Sequence, residues 1–174
     1  FVKYQSWFDF PKLGRRFMDL QYLPYQFGGQ QNILITGRDI TDIVTAEKEA
    51  GEANERFRAV WNSSGDAMRL TDGEGRIVMV NDAFCAMFGK SKEELVGNEY
   101  AVVYAPERQE ESMTGYRTRF ADRSMKEFME LEVELWNGKR FNAQLSNRFL
   151  TLPEGEILVL SVFRDITARI AAER

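Results

Sequence analysis

The feature that most constrains the fold of this chain is an internal repeat. The tetrapeptide Arg-Asp-Ile-Thr occurs at residues 38–41 and again at 164–167, each time after a run of β-forming residues. A pattern that recurs along a chain indicates two copies of one structural unit. We therefore expect two related units that end at the same motif.

The residues before each motif predict three antiparallel strands. Ahead of the second motif, 128–136 and 140–152 form a hairpin turned by Asn-Gly at 137–138, and 157–163 supplies a third strand. Apolar residues alternate with glutamates along the first of these strands, which predicts one buried and one solvated face. The strands expected before the first motif are 2–10, 15–25 and 32–35.

Only the second copy has an N-terminal half. Two short strands, 67–71 and 76–80, flank an Asp-Gly-Glu-Gly turn, and three short helices follow with capping signals at Asn81, at 91–94 and at Pro106. Five antiparallel strands with short helices on one face, a three-stranded partial repeat at the N-terminus and a connecting helix make an α+β fold. The expected divisions are 1–41 for the last strands of a first domain, 42–61 for the linker helix, 62–167 for a complete domain and 168–174 for the start of an outgoing helix.

The linker helix carries apolar residues at alternating steps of three and four, which is typical of a heptad seam. Its alanines bury little area, so this pattern predicts a weak seam between the helices of a homodimer. A helix packed on its own domain explains the same residues, and both interpretations stay open. The seam residues are Ile43, Ala46, Ala50, Ala53, Phe57 and Val60.

Composition excludes several functional classes. With a net charge of -4, the chain has no overall attraction for nucleic acid or anionic lipid. It has no apolar run near the about 20 residues of a membrane helix and no secretory signal, so we expect a cytoplasmic protein. A single cysteine and no histidine exclude internal disulfides, cysteine-rich or histidine-ligated metal sites and Ser/His or Cys/His catalysis.

The second copy resembles the PAS family, from about Phe57 to Thr167. The resemblance rests on the strand pair around 72–75, the Asn-Asp-Ala-Phe helix start at 81–84, the stop at Gly89, the hairpin and the terminal Asp-Ile-Thr. It implies a five-stranded sheet whose concave face, closed by the helices, forms a sensor pocket. The first copy resembles the last three strands of a second such domain.

The resemblance also implies that Asp-Ile-Thr couples the sheet to the outgoing helix. Carried over, the coupling residues are Asp39 and Thr41 in the first copy and Asp165 and Thr167 in the second. A carboxylate at a helix start can also cap free amides and pair with a cation, for which Lys139 and Arg140 are the candidates. A plain helix cap without a signalling role is the alternative.

The resemblance to the PAS family also indicates which ligands the pocket could bind. PAS domains with haem usually offer a histidine, which is absent, and those that bond flavin covalently use a cysteine motif that Cys85 does not match. A non-covalent flavin or another small organic ligand stays open. Arg69 could meet an anionic ligand, although alternation places it on the outer face. The candidate pocket residues are Phe84, Met87, Phe88, Leu131, Val133, Phe141, Leu145 and Leu160.

The leading functional hypothesis is a non-enzymatic sensory and dimerisation module of a bacterial signalling protein. Its effector, of histidine kinase or diguanylate cyclase type, is expected downstream in the same polypeptide, because the chain resembles a piece that starts within a strand and stops within a helix. The alternative is an occluded spacer that only dimerises and sets helix register. A carboxylate enzyme built on the glutamates at 130, 132 and 134 is disfavoured, since their spacing places them on one solvated strand face.

The partial first copy leads to one more expectation. Three strands without covering helices expose an apolar face. We therefore expect either upstream residues or another chain to cover the strands within 1–41.

Overall fold

The computed structural model of the protein describes residues 2–173. The predicted ranges 1–41 and 168–174 each include one terminal residue outside the described part. The chain divides into two compact units, Phe1–Arg58 and Ala59–Arg174. Each unit has its own antiparallel sheet, with three strands in the first and five in the second.

The first unit is a meander of three strands paired in the order β1-β2-β3. The turn between the second and third strands uses Gly28 and Gly29, both at positive φ, a conformation that glycine adopts without steric cost. The third strand is longer than its sequence prediction. The strands are β1 (Val2–Phe10), β2 (Gly14–Phe27) and β3 (Gln30–Asp39).

This three-stranded sheet exposes apolar surface on both faces within the described residues. Ile33, Leu34 and Ile35 follow one another in β3 and are 65%, 50% and 56% exposed. Because successive strand residues point to opposite faces, neither face of the sheet is covered along this stretch. The expectation of a cover supplied by other residues or another chain therefore stays a prediction.

Helix α1 (Thr41–Ser63) begins directly after β3 and includes the predicted span 42–61. Glu52 pairs with Lys48 and with Arg56, each at 3.8 Å and one helical turn away. Within residues 2–173, each helix is either too short or too polar to cross a lipid bilayer.

The second unit is built on a sheet in the order β5-β4-β8-β7-β6, with every neighbouring pair antiparallel. The five-stranded antiparallel sheet predicted from the sequence is therefore confirmed. Its strands are β4 (Ala67–Thr71), β5 (Ile77–Val80), β6 (Phe128–Glu134), β7 (Arg140–Thr151) and β8 (Ile157–Asp165).

Short helices connect the second and third strands of this unit along the chain. Asn81 caps the first helix by accepting from the Phe84 amide, and Gly89 ends it in the left-handed conformation. Ser91 and Glu94 form the predicted capping box. The helices are α2 (Asp82–Phe88), α3 (Lys92–Leu95), a 3₁₀ helix (Tyr100–Val103) and α4 (Pro106–Ala121), and after β8 comes α5 (Thr167–Ala172).

The five-stranded sheet buries apolar side chains on both faces. The helices cover the inner face, where the core centres on Phe84, Phe88 and Phe163. A smaller cluster on the outer face contains Trp61 and Leu158. Both sides of the central strands are therefore shielded from water, which determines where their polar residues lie.

Candidate functional site

A cavity of about 480 Å³ lies on the inner face of the second unit. Its walls come from the 3₁₀ helix, from α4 with the loop that follows, and from β6 and β7. Three tyrosine rings and a group of aliphatic and methionine side chains give it a mostly apolar surface. The tyrosines are Tyr100, Tyr104 and Tyr116, and the apolar residues are Met125, Met129, Leu131, Val133 and Leu145.

Arg69 of β4 supplies the buried charge of this cavity. Its side chain is 3% exposed and lines the cavity wall. Among the described residues, it is the one charged side chain that is buried. Its guanidinium lies 4.4 Å from the centre of the Tyr100 ring and 5.3 Å from that of Phe163, within the range of cation–π attraction.

The hydrogen bonds of Arg69 are incomplete. Nη2 donates to the Ser161 hydroxyl at 3.2 Å. Nε and Nη1 are buried and have no hydrogen-bond acceptor among the described residues. A guanidinium carries five N–H donors, and leaving a buried donor unpaired costs about 1–3 kcal/mol, more for charged groups. A hydrogen-bond acceptor placed next to Nε and Nη1 would therefore remove this cost.

Neighbouring tyrosines do not supply a compensating negative charge. Burial raises the pKa of Tyr100 and of Tyr116, so both phenols are neutral at physiological pH. Their hydroxyls are also engaged, because Tyr100 donates to the Ser112 carbonyl at 2.8 Å and Tyr116 to the Asp72 carbonyl at 2.7 Å. They form fixed walls rather than counter-ions.

A chain of hydrogen bonds links Arg69 to the loop at the cavity edge. Ser161 accepts from Arg69 and donates to Asn147 Oδ1 at 2.7 Å. Asn147 Nδ2 then donates to the Lys126 carbonyl at 3.0 Å. Since Ser161 lies on β8, the buried cation contacts the strand that leads to the outgoing helix.

The predicted pocket residues fall into three groups. Leu131, Val133 and Leu145 line the cavity. Phe84, Phe88 and Phe141 are buried in a neighbouring aromatic cluster, with Phe84 and Phe88 stacked at 4.2 Å and Phe88 edge-on to Phe141 at 6.1 Å. Met87 is partly buried at the edge of the same core.

Leu160 and Arg69 correct the assignment of strand faces. Leu160, predicted to line the pocket, packs in the outer cluster with Trp61. Arg69, assigned by alternation to the outer face, points inward. The assignment fails because three inner positions of β4 and β8 are polar, namely Arg69, Thr71 and Ser161, whereas the end of α1 covers the apolar outer positions.

Sequence reasoning missed the tyrosine wall and Asn147. The polar residues Arg69 and Thr71 of β4 and Ser161 of β8 were a signal for a polar strip within the interior, and Asn147 of β7 extends that strip. The tyrosines of the 3₁₀ helix and α4 carried no such mark, since aromatic residues at helical spacing usually indicate core alone.

The first Asp-x-Thr motif forms a compact corner at the start of α1. Asp39 Oδ1 accepts from the Thr41 amide at 3.0 Å and from the Thr41 hydroxyl at 2.6 Å. The Thr41 Oγ1 atom in turn accepts from the Phe17 amide of β2 at 2.8 Å. These bonds from Thr41 lower the pKa of Asp39, and a weaker contribution comes from Arg16, which lies 3.4 Å from the carboxylate.

The second motif repeats two of these contacts at the start of α5. The Thr167 amide donates to Asp165 Oδ1 at 2.8 Å, and Thr167 Oγ1 accepts from the Asn142 amide of β7 at 2.9 Å. The suggested cation Arg140 instead pairs with Glu134 at 3.0 Å, because these two residues face each other across the β6–β7 hairpin. Both corners thus tie the first residue of a helix to the strand beside the one that it follows.

The predicted seam residues lie on the surface of α1. All six are exposed, with Ile43 at 50%, Phe57 at 47% and Val60 at 72%. The six side chains therefore form an exposed apolar stripe along the helix. Pairing itself stays a prediction.

Comparison with known proteins identifies the fold. The family model described as "PAS fold" matches residues 55–166. The PAS domain of an HTR-like protein from Haloarcula marismortui is 27% identical with a TM-score of 0.56, and the match covers 70% of this chain and 98% of that one. No curated protein matches the chain.

Two further structures are similar at lower identity and show the fold alone. The PAS domain of BvgS from Bordetella pertussis is 22% identical with a TM-score of 0.56, covering 70% of this chain and 93% of that one. A PAS domain from Colwellia psychrerythraea is 19% identical with a TM-score of 0.54, covering 67% and 99%. With a family model that matches more than half of its residues and a sheet in the order β5-β4-β8-β7-β6, the chain belongs to the PAS family.

Proposed function

We propose that this chain is the sensory module of a multidomain signalling protein, which binds a small ligand in the cavity of its second unit. The observation that carries the proposal is the cavity of about 480 Å³ with one buried cation in its wall. Ligand pockets are typically about 300–1,000 Å³, mostly apolar, and contain a few polar groups that orient the ligand. The cavity has each of these properties.

The relay to the effector is proposed to run along β8. A ligand that engages Arg69 acts on Ser161, and the same strand ends at Asp165, which holds the first residue of α5. PAS domains are generally regulatory rather than catalytic modules, so the effector is proposed to follow in the same polypeptide, with a histidine kinase or a diguanylate cyclase as the candidates. A homodimer that pairs along the α1 seam is proposed to carry the change between subunits.

One observation favours the alternative function, an occluded spacer. The part of the interior that holds the aromatic cluster is filled by side chains. Phe84, Phe88 and Phe163 are fully buried and in mutual ring contact. In the spacer alternative, the second unit would bind nothing and only set helix register. Occupancy of the cavity decides between the two functions.

The test is native mass spectrometry together with an absorption spectrum of freshly purified protein. The sensory proposal predicts a mass excess of one small molecule per chain, and an absorption band would identify a chromophore such as flavin. Leu131→Trp, which places a larger side chain at the cavity wall, should abolish the excess. Phe128→Trp is the matched control, because Phe128 is exposed on the same strand and does not line the cavity. An apo protein that takes up no compound from a small-molecule library would favour the spacer.

The relay has a separate test in the full-length protein. Asp165→Ala should change effector output without lowering the free energy of unfolding by more than about 1 kcal/mol, the usual cost of a lost helix cap. Unchanged output at equal stability would leave Asp165 as a plain cap. Glu154→Ala, at an exposed turn before β8, is a control for non-specific effects of removing a carboxylate.

A further inference from the structure

Arg69 is a cation without an anion. It is 3% exposed, and the nearest groups around it are aromatic rings and a serine hydroxyl. A buried charge is tolerated in proteins when it is paired or hydrogen-bonded, because desolvation otherwise penalises the charged form strongly. Arginine cannot escape this penalty by losing its proton.

Neither of the two carboxylates that line the cavity pairs with Arg69, and one of them, Glu132, is exposed. Glu134, which also lines the cavity, pairs with Arg140. The Asp72 carboxylate accepts from the Glu74 and Arg76 amides at 2.9 and 2.8 Å, where it closes the β4–β5 turn. Within residues 2–173, no ion pair to Arg69 is formed, and the buried Nε and Nη1 atoms have no hydrogen-bond acceptor.

We infer that the second unit binds a small organic carboxylate, with the carboxylate on Arg69 and an apolar body against Met129, Leu131 and Leu145. This inference rests on the proposed sensory function and specifies its ligand class. Arginine donors match carboxylate oxygens in charge and geometry. The apolar body follows from the aliphatic and methionine side chains that β6 and β7 present to the same cavity.

Charge favours a monoanion over a phosphate dianion. Among residues 2–173, Arg69 is the one buried cation at the cavity, whereas Arg108, Arg119 and Lys126 are exposed where they line it. A dianion would bring one more negative charge into the interior than Arg69 neutralises. The bond to Ser161 also holds the guanidinium in place before binding, so little side-chain freedom is lost when a ligand arrives.

The test uses hexanoate and its uncharged counterpart hexanamide on the 174-residue chain, freed of any co-purified molecule by partial unfolding and refolding. Calorimetry should show hexanoate binding about tenfold to a hundredfold more tightly than hexanamide, as expected for a buried charge-assisted hydrogen bond. Arg69→Met should reduce hexanoate affinity by a similar factor and hexanamide affinity by less, because the amide carbonyl can accept a hydrogen bond from Arg69 but carries no charge. Arg148→Met, at an exposed arginine of β7 that does not line this cavity, should change neither.

Outcomes separate this inference from the function on which it rests. If both compounds bind with equal affinity to the wild type, the carboxylate inference is wrong while the cavity still binds ligands. If neither compound binds, the carboxylate inference fails, and native mass spectrometry without a co-purified ligand would then reject the sensory function as well. If inorganic phosphate binds more tightly than hexanoate, the monoanion assignment is wrong. Since the wild-type comparison needs no variant, a folding defect of Arg69→Met would not prevent a decision.

Discussion

Asn81 is the polar centre of the second unit, and its replacement should destabilise the domain strongly. The side chain is fully buried. Oδ1 accepts from the Met68 and Phe84 amides, both at 2.9 Å, and Nδ2 donates to the Trp61 and Asp66 carbonyls at 3.1 and 2.9 Å. One amide group therefore joins the end of α1, the start of β4 and the first turn of α2.

The cost of Asn81→Ala follows from these four bonds. The substitution leaves two buried amides and two carbonyls without their partner, at about 1–3 kcal/mol for each buried group that stays unsatisfied. Water that enters the space of the side chain would satisfy part of the set. We therefore expect a loss of about 3–5 kcal/mol in the free energy of unfolding, at the upper end for a single substitution.

Urea unfolding measures this loss. The transition should be followed by far-ultraviolet circular dichroism and by tryptophan fluorescence, and coincident curves justify a two-state analysis. Asn62→Ala is the matched control, because within the described part of the chain Asn62 makes one hydrogen bond, from the Asp82 amide at 3.2 Å, and is only partly buried. It should cost about 1 kcal/mol or less.

A loss below about 1 kcal/mol for Asn81→Ala would refute the reasoning, since it would mean that the buried amides find other partners at no cost. Asn81→Asp sharpens the test. The aspartate keeps both accepted bonds but faces two carbonyls with an oxygen instead of an N–H group. It should therefore be at least as destabilising as alanine at neutral pH.

Three further predictions concern pH, thiol reactivity and backbone strain. Hydrogen bonding by Arg164 lowers the pKa of Asp66. The loss in free energy of unfolding caused by Asp66→Asn should therefore be constant above about pH 5 and should become smaller as the pH falls below about 4. Denaturation curves in which this loss does not change with pH would contradict the prediction. Burial raises the pKa of Cys85, and alkylation by iodoacetamide at pH 8 should be slower than that of free cysteine, whereas an equal or faster rate would show an accessible thiolate. Gly75 has a φ of +80°, and an added Cβ there would lie 2.7 Å from a methionine methyl, so Gly75→Ala should cost about 2 kcal/mol or more. Gly138 has a φ of +79° with open space around it, and Gly138→Ala should therefore show the strain alone; equal losses at the two glycines would exclude a packing contribution at Gly75.

Local signals in the sequence predicted the elements of the second unit closely. The Asn81 cap, the Gly89 stop and the capping box at 91–94 depend on neighbours within a few residues, so the sequence contains all the information that they need. The Asp-x-Thr corners are also local, apart from the strand amide that each threonine accepts.

Which face of a strand points inward could not be predicted in the same way. Alternation along β4 separates Met68 and Leu70 from Arg69 and Thr71, but it does not say which set faces the helices. Where both faces are buried, the usual rule of apolar inside and polar outside gives no answer. The covering residue, Trp61, belongs to a different element, and its position depends on tertiary packing.

The size of the cavity was beyond sequence reasoning for a related reason. The volume of a cavity is the small difference between the total interior volume and the volume that side chains fill. The same side chains can therefore either fill the cavity or leave it open, depending on how they pack. The seam on α1 depends on a second chain, and its six exposed residues fit either of the two interpretations until the oligomeric state is measured.

The repeated corner also has a consequence for how such proteins can be extended or recombined. Each corner is completed by one motif and by the amide of a neighbouring strand in its own unit, so its bonds do not depend on the sequence of the helix that follows. A foreign helix grafted after Thr167 would keep every one of these bonds. The motif is therefore a suitable junction between modules. A module can be duplicated, deleted or exchanged at this point while the hydrogen bonds of the corner are kept.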